Sequence, residues 1–389
     1  MMEICSKERC TGCGACAYVC PKKCIHLIQN QNGNITFKIN TEECVQCGRC
    51  KKICPQCEGV TLRDNIKAYA AWSNNIETRR TSASGGIAAE LYQLALEKKM
   101  KIAGAVSNKD FSVELKLDSS SEAITRYKNS KYVFSTAYKL YDELEHCIKA
   151  NEKAIVIALP CQIAAIRKIF ADSPNLLLCD VVCHGTTPVS YLQQHISMLE
   201  KSIGKKADRM SFRDPDSHTY TYTFTLYSND NRIYAKRMAQ GDTYQIGYHK
   251  LISYRENCYH CIYAQAKRCS DITLSDYKGL GKLTPCNYDE KQVSCILVHT
   301  KKGLEWIDEL IKENIIFAEE RPIQEPISSD PQLQYPSVKS RARLDFEKQI
   351  VLSNGDFEKA MAAVIKRDNI RIAIRRILHP ISKIKHFLR

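Results

Sequence analysis

Two cysteine runs, offset by 34 positions, dominate the start of the chain: Cys10-x2-Cys13-x2-Cys16-x3-Cys20-Pro21 and Cys44-x2-Cys47-x2-Cys50-x3-Cys54-Pro55. Each run places three thiolates on one tight loop, which suits three corners of an iron–sulfur cubane, and the fourth cysteine of such a run ligates the other cluster. The spacing therefore predicts one cluster on Cys10, Cys13, Cys16 and Cys54, and a second on Cys44, Cys47, Cys50 and Cys20. The prolines turn the chain away, while Gly12, Gly14 and Gly48 let backbone N–H groups approach the sulfurs. Zinc and disulfides are the competing chemistries, but zinc usually takes two ligand pairs, and two matching four-cysteine runs are not that pattern. Cys5, Cys24 and Cys57 are left over and read as small apolar fillers near the clusters.

The chain that must position these thiols has 389 residues, of which 44% are hydrophobic and 26% charged. That excludes a disordered or collagen-like protein and predicts about two or three domains. Eleven of the twenty cysteines fall between Cys5 and Cys57. A chain this long needs no disulfide staples, so the clustering reads as metal binding in a reducing, cytoplasmic compartment. No stretch of 18 apolar residues occurs, and the first residues lack the charged head and apolar run of a signal peptide. The formal charge is +14. Three cubanes at roughly −2 each would bring it to about +8, so part of the basic excess is counter-charge and does not imply nucleic-acid binding.

Apolar periodicity supplies the frame. Ile25–Ile28 and Ile35–Ile39, separated by turn formers, predict a β-hairpin. After a linker, helices are expected over Ala83–Lys98, Tyr138–Ala150 and Gln162–Ala171. Strands are expected at Ile102–Ser107, Val113–Leu117, Ala154–Leu159 and Leu176–Val182, with an alternating strand over Tyr220–Tyr227 and a hairpin turn at Ser228–Asn231. The reading is an α+β ferredoxin-like N-terminal domain (1–58), then an α/β domain (68–345) with a mainly parallel or mixed sheet, then a basic helical tail (346–389). Between Lys339 and Arg389 thirteen Lys and Arg face five Asp and Glu. That tail reads as peripheral, with Pro380 expected to kink or divide it, and its basic amphipathic surface allows peripheral membrane contact.

The first 58 residues resemble a bacterial ferredoxin with two [4Fe–4S] clusters. Four further stretches follow in order: Ser82-Ala83-Ser84-Gly85-Gly86; Asn129-Ser130-Lys131-Tyr132-Val133; Leu159-Pro160-Cys161-Gln162 with Asp180-x2-Cys183-His184-Gly185; and Arg255-x2-Cys258-x2-Cys261 leading to Ser270-Asp271-Ile272-Thr273. Together they resemble the beta-subunit family of coenzyme F420 hydrogenases and dehydrogenases over about residues 60–345. The resemblance implies a flavoprotein that also holds a [4Fe–4S] cluster. Cys161, Cys183, Cys258 and Cys261 offer the four thiols a third cubane requires, with Cys269 a rival to Cys183. Core packing for the first two and half a zinc site for the last two is the competing assignment. For FAD, the Ser84-Gly85-Gly86 amides are candidates for phosphate, Lys131 for charge on reduced flavin, Gln162, Asp271 and Thr273 for polar contacts, and His184 for a proton relay.

The sequence departs from the family where Ala158-Leu159 precede Pro160, and where Ser275-Asp276-Tyr277-Lys278-Gly279 lacks the usual tryptophan, which puts the F420 substrate in doubt. The expected activity is a flavin-dependent oxidoreductase acting on a small molecule, with a redox protein or ferredoxin pool as partner. A non-catalytic electron-transfer subunit is the alternative.

Overall fold

The computed structural model describes residues 3–30 and 33–387, with side chains as far as residue 374. The head carries two short helices, α1 (Ala15–Tyr18) and α2 (Arg49–Ile53), and the expected hairpin, β1 (Ile25–Gln29) with β2 (Ile35–Ile39). The two cysteine loops share one backbone. Positive φ recurs at Gly12 and Gln46, and again at Gly14 and Gly48, pairs 34 positions apart, so each loop curls its amides inward in the same way.

In the body, β3 (Lys67–Ser73) leads through α3 (Ile76–Thr81) and α4 (Ile87–Glu97) to β4 (Lys101–Ser107), β5 (Val113–Asp118), α5 (Glu122–Tyr127), β6 (Ser135–Thr136) and α6 (Tyr138–Lys149). Then come β7 (Ala154–Ala158), α7 (Pro160–Phe170), β8 (Leu176–Val181), α8 (Val189–Ile203), β9 (Arg209–Ser211), β10 (Phe224–Ser228), β11 (Asn231–Lys236) and α9 (Thr243–His249). The chain closes with β12 (Ile272–Asp276), β13 (Ser294–Val298), α10 (Lys301–Lys312), β14 (Ile316–Arg321), α11 (Gln324–Ser329), α12 (Arg341–Leu352) and α13 (Phe357–Phe387).

Nine strands form one mixed sheet in the order β14-β3-β13-β12-β8-β7-β4-β5-β6. The central run β12-β8-β7-β4 is parallel, and the three pairs from β14 to β12 are antiparallel. β7 is buried along its whole length and β8 nearly so, as strands covered on both faces must be. The two carry Cys161 and Cys183 just beyond their carboxyl ends, where open α/β sheets place ligands.

Two expectations need correction. The aromatic alternation from Tyr220 does not begin a strand there: Thr219–Thr221 is a 3-10 turn, and β10 starts only at Phe224. His218 and Tyr222 adopt left-handed backbone, and the Tyr222 ring lies under Arg213 at 4.0 Å with its hydroxyl on Asp276. The Tyr222 side chain is thus drawn into a polar contact instead of a pleat. The tail is not peripheral throughout. Ala342, Phe346, Ile350, Phe357, Ala360, Met361 and Val364 are buried in one core with Tyr191, Leu192, Phe212 and Tyr244. Its excess of base had masked an apolar stripe. α13 is one helix through Phe387, undivided at Pro380, and the apolar residues from Ile377 onward lie outside the described side chains.

His195 of α8 ties this core together, 3.0 Å from Asp242 and 2.7 Å from Glu358 at the first turn of α13. Burial opposes its charge, but the two carboxylates prevail and lift it to about 9. Because the folded value exceeds the ordinary 6.5, its stabilisation is complete below about 6.5 and is lost as pH rises through 9. The expected result is a fall of about 3 kcal/mol in unfolding free energy across that window, abolished in His195→Gln, as read by denaturant titrations at several pH values.

Candidate metal centres

In the head, Cys10, Cys13, Cys16 and Cys54 all line one cavity of about 300 Å³, the set that the crossed-ligand rule assigns to the first cluster. Cys5 lines the same cavity beside Cys10 and Cys54. Cys24 is buried 3.5 Å from the Cys20 sulfur, and Cys57 donates to the Ile4 carbonyl at 3.0 Å. The second run faces outward, with Cys47 exposed.

The first loop is pressed onto the body. Ala15 is fully buried among Leu140, Tyr141 and Ala164, and the Tyr141 hydroxyl donates to the Cys13 carbonyl at 2.7 Å. A Cβ on Gly14 would lie 2.5 Å from Tyr138 Cβ, so only glycine allows this approach.

Behind that loop lies a second cavity, and Cys161, Cys183, Cys258 and Cys261 all line it. Cys161 stands in the first turn of α7, after Pro160 at its start. Cys258 and Cys261 belong to a 3-10 turn over Glu256–His260 and the residue after it. The loops that carry Cys183 and Cys258 are sewn together: the Arg255 amide donates to the Thr186 carbonyl at 2.8 Å, and the Thr186 amide points at the Cys258 sulfur at 3.4 Å. Gly185, at φ 144°, is where a Cβ would strike the Tyr254 ring. Burial first, then the nearness of Cys261, Cys183 and Cys258, pushes the Cys161 thiol far above its ordinary value; burial and Cys258 raise Cys261 to about 11. Cys269, the rival ligand, is buried in the core against which Cys161 and Cys261 pack but does not line this cavity.

Arg255 lies between the two cavities. It is 3% exposed, stacks 4.0 Å over Phe134, and donates to the Thr11 and Ile35 carbonyls of the head at 2.9 and 3.0 Å. Its Nε is buried without a hydrogen-bond partner. No carboxylate pairs with it among the described residues; burial lowers its hold on its proton, opposed by the nearby sulfurs of Cys258, Cys10, Cys161 and Cys13. Nothing in its local sequence marks it beyond its place in Arg255-x2-Cys258.

Of the residues expected to hold flavin, Gln162 and His184 line the second cavity, and the others lie elsewhere. Ser84 Oγ donates to the Val293 carbonyl and the Gly85 amide to Ser294 Oγ, which delays α4 to Ile87, with Gly86 in the left-handed region before it. Lys131 Nζ donates to the Arg126, Tyr127 and Lys128 carbonyls at the end of α5, and burial lowers it to about 7. Gln162 bonds Leu159 and Ser135. Asp271 accepts from the Leu178 amide and Thr300 Oγ1, and Thr273 Oγ1 donates to Asp180 at 2.5 Å. His184 does line the second cavity, with Lys278 Nζ 3.4 Å from its Nε2; burial, then Lys278, lowers its affinity for a proton.

Sequence reasoning missed a polar and aromatic group at the carboxyl end of β12. Arg213 pairs with Asp276 and donates to Tyr132 Oη at 2.9 Å, while Tyr222 Oη donates to Asp276 at 3.0 Å. His249 stands against the rings of Tyr132, Tyr222 and Tyr248, its Nε2 buried without a hydrogen-bond partner. These residues are scattered between Tyr132 and Asp276, so no local spacing announces them.

Fold and cysteine geometry define an iron–sulfur redox protein, a small cluster-binding head docked on a mixed-sheet α/β body. Residues 9–57 match the 4Fe-4S dicluster domain, and residues 151–323 match the family described as the C terminus of the coenzyme F420 hydrogenase/dehydrogenase beta subunit. Residues 151–323 are thus similar to that beta-subunit family, and the dicluster match implies two [4Fe–4S] clusters in the head. Among solved structures, a chain of the F420-reducing [NiFe] hydrogenase complex from Methanosarcina barkeri is similar at 18% identity, over 79% of this chain and 94% of that one, with a TM-score of 0.47. No curated protein matches. Among the described residues no helix is long and apolar enough to cross a membrane.

Proposed function

We propose that the chain is an electron-transfer subunit of the F420 hydrogenase/dehydrogenase type in which Cys161, Cys183, Cys258 and Cys261 hold a third [4Fe–4S] cluster. One observation carries the reading: Cys13, a ligand assigned to the first head cluster, lines both the head cavity and the cavity of these four cysteines. A cluster at each place supplies one-electron storage. The order is then body centre, first head cluster, second head cluster, with Cys13 and Thr11 as the shared wall between the first two.

The residues fit the group. Buried, mutually close thiols stay protonated until a multiply charged core draws off their protons. Arg255 supplies the fixed positive charge that such an anionic assembly needs. Four thiols on one cavity are the ligand number that a cubane takes.

Of the residues first assigned to FAD, the side chains of Ser84, Lys131, Asp271 and Thr273 are hydrogen-bonded within the fold, while His184 and Gln162 line the second cavity. A second reading, catalysis on a small molecule with bound flavin, rests instead on the unpartnered His249 and the Arg213–Asp276 group beside it. Anaerobic titration with a calibrated reductant separates the readings. The electron-transfer subunit is expected to take up about three electrons per chain. About five, with yellow fluorescence released on denaturation, would favour the flavoprotein, and about two would remove the third cluster.

A further inference from the structure

We propose that the solvent face of the second head cluster is the docking port for a small acidic electron-carrier protein. The proposal deepens the electron-transfer reading but rests only on the two clusters of the head. The first cluster's loop is covered by the body, whereas Cys47 of the second run is exposed beside Val45, which is 56% exposed. Next to the assigned ligands stand Lys22 and Lys23, whose amides serve the Cys20 sulfur, and Arg49, Lys51 and Lys52 on α2, all exposed. None of the five has an ion-pair partner among the described residues, although surface cations elsewhere, such as Lys98, Lys101 and Lys149, are paired. Of the nearby acids, Glu58 is 3.9 Å from Lys168, leaving Glu42 and Glu43 exposed against five cations. An apolar spot ringed by uncompensated base over an exposed cluster ligand is complementary to a carrier whose own cluster lies under an acidic rim.

The step is a single electron transfer. The carrier's reduced cluster is oxidised by one electron, the second head cluster is reduced by one, and no proton or bond moves. The test uses the full, cluster-loaded chain and a reduced acidic bacterial ferredoxin in stopped flow, comparing Arg49→Glu/Lys52→Glu with Lys301→Glu/Lys312→Glu, an equal charge change on α10. At low ionic strength the first variant is expected to react about tenfold slower than the parent, the gap closing in about 0.5 M salt, while the α10 variant reacts at the parent rate. Equal rates for the two variants would overturn the port. So would a slowing that persists in high salt and follows a shifted cluster potential, since the cations would then serve only as counter-charge. Electron uptake of the body centre does not enter this measurement, so loss of the third cluster and loss of the port are distinguishable.

Discussion

Arg255→Met should lower the potentials of the clusters on both sides of it while leaving their iron in place. The arginine is buried beside Cys10 and Cys13 of the head and Cys161 and Cys258 of the body, and among the described residues no carboxylate pairs with it; guanidinium keeps its proton in proteins. Reduction adds negative charge to a cluster, and a cation several ångströms away at an effective dielectric near 20 favours that by about 2 kcal/mol, on the order of 100 mV for one electron. The same guanidinium anchors the Thr11 and Ile35 carbonyls, so its loss also frees the head from the body. The two roles separate in Arg255→Lys, which restores charge but cannot reach both carbonyls with a planar fork. EPR-monitored redox titration is expected to show the potential drop in the methionine variant and its recovery with lysine, while head–body anchoring, read by limited proteolysis, stays weak in both. Unchanged potentials in the methionine variant would reduce Arg255 to a structural clamp.

Asp271→Ala should destabilise the body by about 3–5 kcal/mol, the usual result of leaving buried charge and donors without their partner. Asp271 is 1% exposed, receives the Leu178 amide at 2.8 Å and Thr300 Oγ1 at 2.9 Å, and faces Arg167 and Lys302 at 3.4 and 3.5 Å. It joins β12 to the start of β8 at the end of the sheet opposite Cys183. Chemical denaturation of the alanine variant is expected to show the loss, with the cluster spectrum of the surviving folded protein unaltered. Full stability with a changed redox spectrum would return Asp271 to the role of a cofactor contact.

These two residues mark where the sequence is readable. The cysteine runs announce themselves because cubane ligands on one tight loop have a fixed local spacing, and the repeat carries its backbone with it. Strands β7 and β8 are equally legible, since burial on both faces demands an unbroken apolar run. Cys161, Cys183, Cys258 and Cys261 come from three separate loops, yet strand ends and one C-x2-C pair are enough to propose them together. Polar roles fare worse. Asp271, Thr273 and Gln162 have the composition of ligand contacts, but each is spent on a neighbouring strand or helix start, a pairing fixed only by tertiary packing. Arg255 and the Arg213–Asp276 pair act across long stretches of chain, and no period in the sequence encodes that. The basic tail misleads because charge dominates its composition while one buried stripe decides its packing.

Electron transfer through the body depends on its third cluster, which iron analysis of the anaerobically reconstituted chain beside its Cys258→Ser variant would reveal. About twelve iron atoms per chain are expected, falling to about eight in the variant, with the head's spectrum preserved. About eight in both would contradict it, leaving a two-cluster head on a body without metal.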